Sequence, residues 1–433
     1  MKMKFLEEMA KAVIESSRVR PGQRVGSSSA NATGETLIKP GGGMCYPAFW
    51  IRDYAMSLDC GLIPVVEQRH ALLLAASTQQ ASDWLTPSGS LVPRGSIADH
   101  ITFDGTPIFF PGTHDPAEQG GVNGKLPCLD DHFYFVEMAW QYWQQTGQRG
   151  ILNEEVAGVP LLERLELAFA VPPARPDTQL VWCDESNRGV SFGFTDVVVH
   201  TGDLLFASLL RERAARQLAE LTGKSQYLDI AETIRRAVPV VFAHPGGLLR
   251  SSTGLSCQPD VWGSAFAVYN GVVDGAVKEK ICSVLADAYS SGTLALRGNI
   301  RHVLTTDDFS PESAWECFTG PRPLNRYQNG AYWNTPTGWV CFAIAQVDEP
   351  SAKQMACEYL EELQEGDFRK GPDFGSPYEC FHPDGNHRQN AIYMTSVTCP
   401  LAAFKRLGWD RGAQQPRHGH SLASHLNTAN KSL

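Results

Sequence analysis

The segment QLAELTGKSQYLDIA, residues 217–231, contains the end of one helix, a stop signal and the start of another. A glycine after the last turn of an apolar stripe supplies the left-handed residue on which helices commonly end, so Thr222-Gly223 reads as a helix terminus. QYWQQTGQRGILNEE, residues 141–155, repeats the arrangement at Thr146-Gly147. Upstream, in HTGDLLFASLLRERAARQLAEL, Leu205, Leu209, Ala214, Leu218 and Leu221 share one stripe. Arg211, Arg213 and Arg216 are expected to face away from it. The same periodicity recurs in pairs along the chain, which suggests an internal repeat of helical hairpins. It predicts helices over 3–17, 49–62, 67–85, 131–146, 153–170, 199–223, 225–241, 260–273, 275–290, 336–347, 350–365 and 390–407.

The connections alternate in length. Short joins link 62 to 67, 146 to 153, 223 to 225 and 347 to 350. Long segments rich in Gly, Pro and aromatic residues fill 18–48, 86–130, 171–198, 291–335 and 366–389. Loops of that length are usually functional, and these carry too many aromatic side chains to be disordered. About six hairpins with every long loop on one side imply an all-α, closed (α/α)6 toroid with one elaborated rim. Strands are scarce, with GLLR and GLSC within 247–257 as the only small hairpin expected. No linker divides the chain, so a single toroid is expected over 1–410, followed by a polar tail over 411–433.

The composition, 43% hydrophobic and 19% charged over 433 residues, is that of an ordinary globular enzyme. A net charge of −10 with no basic run argues against nucleic acid as a partner. No apolar run reaches membrane-spanning length. Glu7, Glu8 and Lys11 interrupt any signal-peptide core at the N-terminus. The eleven cysteines are scattered without a CxxC pair, which fits free thiols in a reducing, cytoplasmic setting. No cofactor or metal is indicated: His382 and His387, in a loop with Asp384, have loose ligand-like spacing but nothing else clusters with them, and Gly41–Gly43 lacks the lysine of a phosphate loop. Nothing in the sequence specifies an oligomeric state.

Four loop constellations carry the chemistry. In GGGMCYPAFWIRDYAMSLDCGL, residues 41–62, Arg52 and Asp53 follow Trp50 at a helix start. Helix capping would explain them as well as a pair binding sugar hydroxyls beneath a stacking ring. In LVWCDESNRGVSFGFTDVVVHTGDLL, residues 180–205, Asp184, Glu185 and Asp196 crowd one loop beside Trp182 and Arg188. A carboxyl next to apolar rings has its pKa raised toward that of a general acid. In RYQNGAYWNTPTGWV, residues 326–340, Tyr327, Gln328, Asn329 and Trp333 combine amides with rings, a mixture suited to a neutral polyhydroxylated ligand. GSPYECFHPDGNHRQN, residues 375–390, holds the Glu379 carboxyl between Tyr378 and Phe381 in a stiff aromatic setting, with Asp384 and His387 further along. On a closed rim it would stand opposite residue 184, and two facing carboxyls are the minimal machinery for glycoside hydrolysis.

These motifs resemble those of the six-hairpin glycosidases, the superfamily of trehalases, processing α-glucosidases and glucoamylase-like enzymes. YPAFWIRDYAMSLDCGL is similar to their FW-x-RD segment, WCDESNRG to their general-acid loop, YECFHPDGN to their general-base loop and YQNGAYW to their sugar-binding loop. The resemblance implies an inverting, exo-acting glycosidase of carbohydrate metabolism that releases a monosaccharide from a small neutral glycoside or oligosaccharide. It assigns Asp184 as general acid and Glu379 as general base, with Asp196 or Glu185 as alternative acids. Trp50, Arg52, Asp53, Trp182, Arg188, Tyr327, Gln328, Asn329, Trp333, Tyr378 and His387 are the expected sugar contacts. Two other readings stand beside it. One is a sugar epimerase or polysaccharide lyase on the same toroid, using His132, His200, His302 or His387. The other is a non-catalytic carbohydrate-binding toroid.

Overall fold

The computed structural model describes residues 2–87, 89–110, 124–307 and 324–410. The expected tail over 411–433 lies outside the described residues. Twelve α-helices follow in order: α1 (Met3–Ser17), α2 (Ile51–Leu58), α3 (Val65–Ser77), α4 (Asp131–Thr146), α5 (Leu161–Ala170), α6 (Leu205–Thr222), α7 (Gln226–Val241), α8 (Val261–Tyr269), α9 (Gly275–Ser290), α10 (Thr337–Ile344), α11 (Glu349–Glu365) and α12 (Thr395–Arg406).

The even-numbered helices form a closed inner ring. α2 packs on α4, α4 on α6, α6 on α8, α8 on α10, α10 on α12, and α12 returns to α2. The odd-numbered helices form the outer layer: α1 lies against α12, α3 against α4, α5 and α7 against α6, and α9 and α11 against α10. Burial separates the two classes. Every residue of α2 and α8 is buried, as are seven of the eight in α10, because inner helices meet protein all round. The outer helix α7 buries only Tyr227, Ala231, Ile234 and Val238, a single stripe. This corrects the amphipathic reading of α6, an inner-ring helix buried on nearly every side. Arg211 and Arg213 turn inward, Arg211 bonding the Phe169 carbonyl and Arg213 pairing with Glu137 at 3.1 Å.

Each inner helix is followed by an outer one through a compact connection, and each outer helix returns to an inner one through a longer segment. The long segments therefore all reach the N-terminal ends of the inner ring. Gly147 and Gly223 close α4 and α6 with φ of +68° and +74°, the left-handed stop expected at Thr-Gly. Several helices begin later or end earlier than periodicity predicted, because apolar residues at their edges belong to short strands. Phe49–Trp50 and Trp84–Leu85 are strands, 153–160 holds a tight turn and a small hairpin, and Arg388–Ala391 is a strand ahead of α12. The expected pairing of 247–250 with 254–257 does not form. Leu249 instead bridges Ala243, and Arg250 bridges Pro259. The rim carries a five-stranded antiparallel sheet in the order Ala295–Leu296, Asn299–Ile300, Tyr332–Trp333, Tyr378–Phe381 and Arg388–Ala391.

Phe206 of α6 stacks between Phe192, 3.7 Å away, and Phe266 of α8, 4.8 Å away, and so ties the rim to two inner helices. Phe206→Ala should lower the unfolding free energy by about 3–5 kcal/mol. Val240→Ala, on the exposed side of α7, should change it by no more than about 0.5 kcal/mol in the same denaturant titration.

Candidate active site

Arg52, in the first turn of α2, is 4% exposed and bonds three aspartates. Its Nε donates to Asp130 at 2.6 Å, and its Nη2 donates to Asp99, Asp130 and Asp131 at 3.1–3.2 Å. Asp99 comes from the second long loop, while Asp130 and Asp131 sit at the start of α4. The loop after α5 is held to the same point, since the Gly193 amide donates to Asp130 at 2.9 Å. A Cβ on Gly193 would lie 1.9 Å from the Arg52 guanidinium carbon, so only glycine fits there. With three carboxylates around one cation, burial and the neighbouring aspartates push Asp131 well above the usual carboxylate range. For Asp99 burial acts upward, but the His100 hydrogen bond and the Arg52 charge outweigh it and hold the group at about 2. Asp99, Cys128 and Asp131 have donor atoms close enough to share a metal ion, but the guanidinium already takes the cation's place, bonding both carboxylates.

This anchor supports one wall of a recess lined by Tyr46, Trp50, Arg52, Asp53, Gly193, Phe194, Asp196, Tyr327, Glu379 and Tyr393. Four of the five long segments and the start of α2 meet in it. Glu379 lies in a strand, not in the loop expected from its prolines. Tyr378 pairs with Ala391 and Cys380 with Gln389, which sets Glu379 directly opposite Asn390 on one face of the hairpin. Asn390 Nδ2 donates to Glu379 at 2.7 Å, and the Tyr46 hydroxyl donates to both carboxylate oxygens at 3.1 and 3.2 Å. Alternation sends Tyr378 to the other face, where Arg388 lies 5.2 Å over its ring.

Burial raises the Glu379 carboxyl to about 8, with Asp53 and Asp196 adding to the shift and the Asn390 and Tyr46 donors opposing it. Asp53 is raised by burial to about 6, against the 2.6 Å hydrogen bond from Tyr393 and the charge of Arg52. Tyr46, Tyr327 and Asn390 have positive φ of 39°, 50° and 45°. Non-glycine residues seldom adopt this region, and such strain concentrates at functional sites. Ile392, a β-branched residue at φ +62°, packs its Cγ2 where a Cβ on Gly42 would stand only 2.8 Å away. Gly41 and Gly42 thus serve close chain approach.

Among the expected sugar contacts, Trp50, Arg52, Asp53 and Tyr327 line the recess. Gln328 and Trp333 are fully buried. Gln328 donates to Asp196 at 2.7 Å and accepts from the Val197 amide at 2.9 Å, so it positions Asp196 from behind. Asn329 closes a local turn onto Arg326 and Asn325. His387 sits in the outer turn of the Glu379 hairpin, where its carbonyl accepts from His382. Asp184 does not line the recess. It is half-buried in its own turn, its Oδ1 accepting from the Ser186 amide and hydroxyl and the Asn187 amide, and the Ser186 hydroxyl bond leads in lowering its pKa. Glu185 is exposed beside it. Arg188 supplies a carbonyl to Lys125 and Leu126, and Trp182 packs under Arg175, both away from the recess. Tyr46, Phe194, Asn390 and Tyr393 went unselected from sequence. For Asn390 the signal was available, because any hairpin across the PDG turn brings it near Glu379.

No family profile and no curated protein sequence matches the chain. Solved structures do. A glycosidase variant in complex with glucose aligns at a TM-score of 0.53 and 14% identity over 94% of this chain and 98% of its own. A sugar epimerase from a ruminal bacterium aligns at 0.57 and 12% over 94% and 99%. A GH63 mannosylglycerate hydrolase from Thermus thermophilus aligns at 0.50 and 12% over 94% and 100%.

Two measurements probe the site's electrostatics. Arg52→Met should destabilise the protein by about 3–5 kcal/mol in urea titration, and Arg52→Lys should not restore it, since an ammonium cannot span three carboxylates. Glu379 holds its proton more tightly folded than unfolded, so its contribution to stability is full below 4.5 and is lost as pH rises through about 8. Glu379→Gln should therefore melt with the wild type at low pH and above it in alkaline buffer.

The chain has the (α/α)6-toroid fold of glycosidases and sugar epimerases.

Proposed function

We propose that the protein is an exo-acting glycoside hydrolase that inverts the anomeric centre of a small neutral glycoside. The carrying observation is the grouping of Glu379, Asp196 and Asp53 in one aromatic recess. Its deep walls, including Asp53, Phe194, Glu379 and Tyr393, are buried, which suits removal of a terminal sugar rather than cleavage within a chain. Glu379 acts as the general base, taking a proton from the water that attacks the anomeric carbon. Asp196, the remaining carboxyl on the loop expected to carry the acid, donates its proton to the departing glycosidic oxygen. This departs from the assignment of Asp184, whose carboxylate is satisfied by its own turn outside the recess. Inversion calls for the acid and base to lie about 6.5–9.5 Å apart, leaving room for the water. Asp53 and Tyr393 supply hydrogen-bonding groups for sugar hydroxyls, with Trp50 and Tyr327 as apolar walls.

The alternatives have less support. An epimerase needs a His or Tyr acid/base, and no described histidine lines the recess. Burial pushes Tyr46, Tyr327 and Tyr393 well above their usual range, which makes them poor proton carriers. A lyase acting on uronates needs spare positive charge, while Arg52 is fully engaged by aspartates. A non-catalytic toroid has no use for buried carboxyls held together against their mutual repulsion. The described cysteines are free and mostly buried, and among the described residues no helix is long and apolar enough to cross a membrane. The free thiols support a cytoplasmic setting.

A screen of aryl α- and β-glycosides and natural disaccharides for free monosaccharide should find turnover. On the substrate found, Glu379→Gln and Asp196→Asn should each reduce kcat by about 10²–10⁴-fold, whereas Asp184→Asn stays within a few-fold. The reverse outcome for the two aspartates would return the acid role to Asp184. As a base, Glu379 must be ionised, so kcat/KM should rise with pH through about 8. A falling limb there would make Glu379 the proton donor. The first-formed sugar should have the anomeric configuration opposite to the substrate by NMR.

A further inference from the structure

A second cavity, of about 260 Å³, lies on the other side of the α4 start and shares no lining residue with the recess. Its floor includes Leu126, Leu129 and Cys183, all buried, with Pro173 and Trp182 among its walls. Leu91, 39% exposed, and the exposed Asn187 stand at its mouth. Leu91 pairs across a short hairpin with Leu85, 69% exposed, so the mouth has an apolar rim. Monomeric proteins usually fill or cover such apolar concavities, and those that persist are commonly binding sites.

One fully buried polar side chain lines it, that of His132. Its Nε2 accepts the Ile97 amide at 3.4 Å, which leaves the ring proton on Nδ1, beside the carbonyls of Leu129 and Cys128. Burial holds its pKa at about 4, against the nearby carbonyls of Leu129 and Cys128, so the ring is neutral. An apolar cavity of about 150 Å³ is enough to bind benzene, so this volume suits two fused rings.

We propose that this cavity is a second ligand site, taking a compact, uncharged, largely apolar molecule of about two rings. The occupant is either a free small molecule or the aglycone of the hydrolysed glycoside, and the second source rests on the hydrolase reading above. The loop from Trp182 to Asp196 walls the cavity at one end and the recess at the other, with the Leu129 amide bonded to the Val190 carbonyl between them.

Calorimetric titration of the full chain with 2-naphthol tests the site without requiring turnover. Saturable 1:1 binding at submillimolar concentration is expected, unchanged in Glu379→Gln and weakened at least tenfold in Leu91→Trp and Asn187→Trp. Both substitutions are placed at exposed mouth positions, so folding, checked by circular dichroism, should survive. Absence of saturable binding, or binding indifferent to both substitutions, overturns the proposal. With a naphthyl glycoside that is turned over, competition by 2-naphthol assigns the cavity to the aglycone, and a change in kcat at unchanged KM assigns it to a free ligand. Binding without any glycoside turnover would sustain the cavity and remove the hydrolase reading alone.

Discussion

The rim is organised around one buried guanidinium. Arg52 joins α2, the 99 region, the start of α4 and the loop at Gly193, four pieces far apart in sequence. Removing charges from water is costly, and the pairing recovers that cost only with multiple well-placed hydrogen bonds. A planar fork that bonds three carboxylates meets this condition, whereas a lysine at the same place could not. In the recess beside it, burial is the main reason that Asp53 and Glu379 retain protons at pH values where an exposed carboxylate would not, and the field of Asp53 and Asp196 adds to it at Glu379.

That field bears on the chemistry. Glu379 is pulled two ways: Tyr46 and Asn390 stabilise its ionised form, while burial and nearby acids stabilise the protonated one. Three residues around it sit at positive φ, a conformation that costs about 1–3 kcal/mol per residue. The surrounding ring of largely buried helices supplies the packing that holds this strain in place. Rigidity of the inner ring and strain at the rim are therefore linked.

The toroid was legible in the sequence because alternation of short and long connections is a topological signal that survives errors in individual helix boundaries. The boundaries failed where two-residue strands took apolar residues that also fitted a helical stripe, as at Trp50 and Trp84. Glu379 was legible because it is the acid set between Tyr378 and Phe381 in a stiff segment. The 180–205 loop was legible as a carboxylate-rich unit, but local pattern cannot tell which acid turns inward. That choice depends on Gln328, over a hundred residues away, bonding Asp196, and on an Asx-type turn that satisfies Asp184 where it stands. The arginines of α6 misled for a related reason. Their partners Glu137 and Phe169 belong to other helices.

The alternation of compact and long connections also gives the molecule two unequal ends. All the long segments gather at the N-terminal ends of the inner helices, and the far end is closed by joins such as Lys224–Ser225, which is exposed and touches nothing in the recess. Changes of chain length at the far end leave the inner helices in place, and changes at the near end reshape the recess without disturbing the ring. New chain termini introduced between Lys224 and Ser225 would leave the carboxyl cluster in a covalently rearranged but geometrically unchanged ring.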